Sequence, residues 1–129
     1  MSKSIAINHW GINPRITLSQ AVKRGNLLFI SGITARDERG ETVAKGDIKG
    51  QTRQIYNRIK TILEAAGASF DNILMTTDYI TTLENYKETA EVRREYFNKD
   101  CFPAATGIVV KRLINGEALI EIDAIALLD

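Results

Sequence analysis

The segment FPAATGIVVKRLINGEALIEIDAIALLD, Phe102–Asp129, carries the strongest pattern in this chain. It reads as two β-strands joined at an Asn115-Gly116 turn, with acids oddly placed on the second strand. Alternate residues of a strand share a face, so Ile120, Ile122, Ala124 and Ala126 fall on one side. Glu121, Asp123, Ile125 and Leu127 fall on the other. Ile125 and Leu127 ask for cover just beyond the two carboxylates, which sets at least one acid at the rim of a covered surface or of a crevice between subunits. An acid held that way has a raised pKa and can move protons. Pattern alone favours the plainer alternative, in which both acids are solvated or pair with Lys111 or Arg112 upstream.

Upstream of this segment the chain alternates strands and helices. Ala21-Val22 and Leu27–Ile30 flank an Arg24-Gly25-Asn26 turn, a hairpin whose second strand reads as buried on both faces. Gly32 stands where that strand ends, a place where glycine permits a positive φ or a close approach to the backbone. Ile48, Thr52, Ile55, Ile59, Ile62, Leu63 and Ala66 recur in steps of four and three. They predict one stripe of a helix from Asp47 to Ala66, stopped by Gly67. Ile73 to Thr81 is rich in β-branched and aromatic residues and reads as a long strand. Thr81 and Glu84 have the spacing of a capping box, which opens a second helix running to Phe97. The order is β-β-α-β-α-β-β, with an extra N-terminal strand around Ser4 to Ile7. Two helices on a mixed sheet of about six strands make an α+β two-layer domain spanning residues 1–129, with the helices on one face. The opposite face still carries apolar residues, so the chain is expected to self-associate and to form clefts between subunits.

Composition narrows the function classes. The 129 residues carry a net charge of +1, scattered rather than clustered, with no basic stripe and no stacking aromatics. Nucleic acid is therefore not an expected partner. No apolar run approaches the roughly 20 residues that cross a bilayer, and the N-terminus has no signal-peptide core, so no membrane is expected and the location defaults to the cytoplasm. A lone cysteine, Cys101, and a lone histidine, His9, leave no cysteine-cluster metal site and no obvious activated thiol. His9 and Trp10 would stack on a ligand only if they sat beside a cleft; packing on a neighbouring subunit is the commoner fate of such residues.

SQAVKRGNLLFISG (19–32), ILEAAGASFDNILMTTDYITTLENY (62–86), EYFNKDCFPAATGIVV (95–110) and ALIEIDAIA (118–126) together resemble the Rid family, also called YjgF/YER057c/UK114. The resemblance covers residues 18 to 127. It implies a chorismate-mutase-like fold, a homotrimer built round a barrel of sheets, and three ligand clefts at the subunit interfaces. The activity it implies is hydrolysis of short-lived enamines and imines, such as 2-aminoacrylate, to a 2-oxo acid and ammonia, without metal or organic cofactor. Water must add to the C=N carbon and a proton must reach the leaving nitrogen, a task suited to a carboxyl group. Glu121 matches the family's acid for this role, and Gly32 matches its cleft glycine.

Three positions depart from the family pattern. The signature arginine, two residues after the proline, is Ala105, with Thr106 beside it in PAATG. The cleft tyrosine is Leu18, and the asparagine of the second helix aligns with Ala90. Losing a bidentate clamp removes about 1.5–3 kcal/mol per charge-assisted hydrogen bond to a carboxylate, so turnover of ordinary 2-imino acids is expected to be weak. Arg15, Arg93 and Arg112 are the candidate replacement cations, with Arg93 foremost, against the simpler reading of a surface arginine. The sequence thus points to a divergent Rid-family hydrolase acting on a small enamine, imine or related C–N compound with Glu121 activating water. The alternative is a non-catalytic module that binds a small metabolite in the same intersubunit cleft. A ribonuclease or translation inhibitor is a third reading, and the charge and the lone histidine weigh against it.

Overall fold

A computed structural model describes residues 3–8 and 14–129. Its strands are β1 (Ile5–Ile7), β2 (Ala21–Arg24), β3 (Leu27–Ile33), β4 (Ile73–Ile80), β5 (Ala104–Val109) and β6 (Ile120–Leu127). The helices are α1 (Ile48–Ala65) and α2 (Thr89–Tyr96). The strands form one mixed sheet in the order β1-β2-β3-β6-β4-β5. Both helices lie on one face, as the sequence pattern requires. The stripe of α1 meets the sheet through Ile55, Ile59, Ile62 and Leu63, all fully buried with Ile120 and Ile122 of β6. Burying each such side chain contributes about 1.5–3 kcal/mol.

The helix α1 starts where Asp47 accepts the Gly50 N–H at 3.0 Å. A side chain at Gly50 would collide with that cap, since its Cβ would lie 2.5 Å from Asp47 Oδ2. At the other end Gly67 adopts φ +74°, the left-handed stop read from the sequence.

The second helix begins later than the Thr81–Glu84 spacing suggests. Thr82, not Thr81, bonds the Glu84 N–H at 3.0 Å, and a short 3-10 turn at Tyr86–Glu88 precedes α2. Asn85 sits at φ +59° just before that turn, so the chain cannot run straight into an α-helix from Thr81.

A second difference concerns the last two strands. They do not pair with each other: β6 runs antiparallel to both β3 and β4, whereas β5 runs parallel to β4 at the sheet edge. Because α2 lies between β4 and β5, the chain makes a helical crossover, the connection that parallel neighbours need. Asn115-Gly116 is accordingly no two-residue hairpin. Asn115 bonds the hydroxyls of Thr34 and Thr42 with its amide, and its oxygen receives the Glu117 N–H. Buried Gln51 of α1 clasps the same loop through Glu117 and Leu119.

The strand β3 also differs from its reading. Leu28 and Ile30 are buried beneath the helices, but Phe29 points to the other face and is 51% exposed in the single chain. Phe29 pairs with Ile125 and Leu27 with Leu127, making an open apolar strip on the outer face of the sheet.

Candidate functional site

On that outer face β6 displays Glu121 and Asp123 between two neighbours. Tyr79 of β4 pairs with Glu121, and its hydroxyl donates to Asp123 Oδ2 at 2.9 Å. Asp123 is thus held by a phenol rather than by Lys111 or Arg112. On the β3 side the register slips between Ile30 and Ile33, and the bulge turns Gly32 toward Glu121. A Cβ at Gly32 would lie 2.8 Å from Glu121 Cδ, so the carboxyl group lies flat against bare backbone. Glu121 is half-buried. Burial, followed by the negative charge of Asp123, raises its pKa above the usual carboxylate range.

The segment carrying Leu18 reaches the same place. Ser31 donates from its backbone N–H to Gln20 and from its hydroxyl to Ser19, the latter at 2.6 Å. These two bonds tie residues 19–20 to the bulge, beside which Leu18 is 66% exposed. Gly32 and Glu121 are therefore in contact, and Leu18 stands in the segment bonded to the neighbouring Ser31.

Ala90, Arg93 and Ala105 lie on the opposite face. Ala105 and Gly107 of β5 pair with Thr76 and Asp78 of β4 and share their helix-side face. Helices α1 and α2 do not reach over this edge strand, and every β5 residue is exposed in the single chain. Thr76 and Asp78 are buried beside this strand, and Arg93 of α2 reaches Thr76 while Tyr86, in the turn before α2, reaches Asp78 and Gly107. Ala90 is half-buried on the same helix. The Tyr86 hydroxyl lies against Gly107, 2.8 Å from where a Cβ would stand, and donates to Asp78 Oδ2 at 2.8 Å. Burial first, then this bond, pushes the phenol's pKa up to about 12, so Tyr86 is protonated and a donor. Asp78 is only 4% exposed, and its other oxygen, Oδ1, has no hydrogen-bond partner among the described residues. Burial raises its pKa against the opposing influence of Tyr86 and Arg93.

Arg93 is no surface arginine. Its Nη1 donates to Tyr56 Oη at 2.9 Å and to Thr76 Oγ1 at 3.1 Å, and the guanidinium stacks over Phe97. These contacts tether it beside Thr76. Arg112 lies instead beside Gly116 in the loop before β6. Thr106, paired with Thr77, faces the outer side and is separated from Ala105 by the thickness of the sheet. His9 and Trp10 lie outside the described residues.

The sequence reading missed Asp78, Tyr79, Tyr86 and Gly107. A signal for Asp78 was present: it alternates with Thr76 and Ile80 on the core face of β4, where a carboxylate is costly. No group of three or more His, Cys, Asp or Glu is placed to hold a metal among the described residues. No helix among them is long and apolar enough to cross a membrane.

The sequence profile of the family described as Endoribonuclease L-PSP matches residues 11–128. A RutC family protein of Pyrococcus horikoshii is 44% identical over 108 residues, 84% of each chain. A protein of Acinetobacter baylyi named 3-aminoacrylate deaminase RutC is 32% identical over 126 residues, 98% of each. The crystal structure of YyfA, a protein of the conserved Rid family from Yersinia pestis, superposes with a TM-score of 0.87 at 32% identity, covering 98% of this chain and 100% of that one. Sequence match and shared architecture agree: this chain is a member of the Rid family.

Proposed function

We propose that the protein hydrolyses a small enamine, imine or related C–N compound in a cleft shared by two copies of the chain, with Glu121 activating water. The observation that carries this reading is the setting of Glu121. It is half-buried, pressed on Gly32, and raised in pKa by burial and by Asp123. A carboxyl group in that state takes a proton from water near neutral pH more readily than an exposed one, and returns it to a leaving nitrogen. The deaminase named among the relatives supports the same class of reaction.

The two residue groups lie on opposite faces of one sheet, so one chain cannot close them round a single ligand. A second copy, docked through the open strip of Leu27, Phe29, Ile125 and Leu127, supplies the missing wall. The family resemblance suggests a closed ring of three, working in the cytoplasm without metal or organic cofactor. Ammonia release from imines generated in situ tests the reading: Glu121→Gln should abolish it while the assembly persists, and full activity in that variant would remove Glu121 from the mechanism.

Ala105 and Ala90 favour a second reading, since neither offers a polar group to a substrate. In that case the cleft binds a small metabolite without turning it over. Ligand density in soaked crystals, with no ammonia released, would support it.

A further inference from the structure

We infer that Tyr79 is a positioning residue for the proton chemistry at Glu121: by pinning the Asp123 carboxylate it leaves Glu121, of two acids on one strand face, as the one that exchanges a proton. This inference rests on the reading of Glu121 as the water-activating acid and adds how the strand decides between its two acids. Glu121 and Asp123 alternate with the buried residues Ile120, Ile122 and Ala124, so both stand on the outer face of β6. Carboxyl groups set that close can hold one proton between them, and either could then act as the base. The surroundings of the two differ, and the difference lies in β4.

Tyr79 is the register partner of Glu121, yet its hydroxyl donates to Asp123 Oδ2 at 2.9 Å. The side chain starts beside one acid and leans along the sheet to the other, whose own register partner is Thr77. A phenol has a single proton, and this one goes to Asp123. That bond, followed by burial, raises the pKa of Tyr79, so the phenol stays protonated wherever carboxyl groups titrate. A hydrogen bond to the charged form of a carboxyl group favours that form. Asp123 is thereby kept as a fixed negative charge, while Glu121 lies against the bare backbone of Gly32. Burial first, then the charge of Asp123, favours a proton on Glu121. The strands flanking Glu121 bring little else that titrates. From Leu27 to Ile33, β3 has no ionisable side chain, and of the two in β4, Asp78 is buried on the helix side and Tyr79 pairs with Glu121.

NMR of the assembled protein, with its carboxyl groups isotope-labelled, follows the Glu121 carboxyl group from acid to neutral pH, and Glu121→Gln identifies its resonance. Tyr79→Phe keeps the ring and removes the donor. Asp123 then holds its charge less firmly and takes part of the proton, so the Glu121 midpoint should move about 0.3–1 pH unit lower. The Asp123→Asn background decides the route. There Tyr79→Phe should add no further shift, since the hydroxyl acts through the Asp123 charge. A Glu121 midpoint that stays put or rises in Tyr79→Phe overturns the inference, and so does one that falls just as far when Asp123→Asn is already present. The titration is read without turnover, so failure of the catalytic reading shows separately, as full ammonia release in Glu121→Gln.

Discussion

A methyl group at Gly32 would stand 2.8 Å from both Cδ and Oε2 of Glu121. Gly32 is not among the glycines with positive φ, so space rather than backbone conformation demands glycine here. The obstacle is the far end of a flexible side chain, which can swing aside. Gly32→Ala should therefore cost stability about 1 kcal/mol or less, yet lower ammonia release at least about tenfold by moving the carboxyl group off its water. Thermal unfolding and steady-state rates on one preparation check both halves. A large loss of stability with normal activity would contradict it.

The acid limb of the rate profile should report Glu121. Its pKa is raised by burial first and by Asp123 second, so the carboxylate form needed as base appears at higher pH than for an exposed glutamate. Asp123→Asn removes the like charge, which lowers the pKa and moves the acid limb toward lower pH. The Tyr79 hydroxyl can still donate to the new side chain, keeping the geometry. A limb that stays put, or moves upward, would detach this titration from Glu121.

How legible was this site? The outward placing of Glu121 and Asp123 followed from strand alternation, and α1 from its apolar stripe and Gly67, because both patterns lie within one element. The partnership of Asp78, Tyr86 and Arg93 was not legible. It depends on β5 lying parallel to β4, which brings Gly107 opposite Asp78, and nothing local to Asn115-Gly116 distinguishes a crossover loop from a hairpin turn. Arg93 looked like a surface residue because its partners, Tyr56 and Thr76, lie 37 and 17 positions away.

Asp78 should make the fold less stable as pH rises. Its folded pKa is raised, so its contribution to stability is fully present below the unfolded value of 3.8 and is lost as pH climbs through the folded pKa. The groups facing it are Tyr86, Arg93 and, more distantly, Asp123. Replacing the pair together, Asp78→Val with Tyr86→Phe, removes the orphaned Oδ1 along with Oδ2 and its phenol donor. At neutral pH the double variant should be more stable by about 1–3 kcal/mol, with the difference shrinking at acid pH. Denaturant unfolding at several pH values measures it. A double variant less stable at neutral pH would mean that the Asp78 carboxylate stabilises the fold rather than straining it.

Ala105→Arg restores a guanidinium to an exposed position on β5. Binding of 2-imino acids or their stable 2-oxo analogues should tighten at least about tenfold, as expected for one charge-assisted hydrogen bond. Calorimetric titration with a 2-oxo acid gives the number. No gain would mean that position 105 does not face the ligand.

Two inactive variants can show whether the cleft is built by two chains. Glu121→Gln lacks the acid, and Ala105→Trp crowds the β5 edge on the other face. Each should be inactive alone. Unfolded together in equal amounts and refolded, a closed ring assembles sites at random, and about one site in four has an intact acid from one copy and an unblocked β5 edge from the next. The mixture should regain about a quarter of the unmodified activity. A mixture that stays as inactive as its parents would mean that each site draws both groups from one chain, which contradicts the shared cleft.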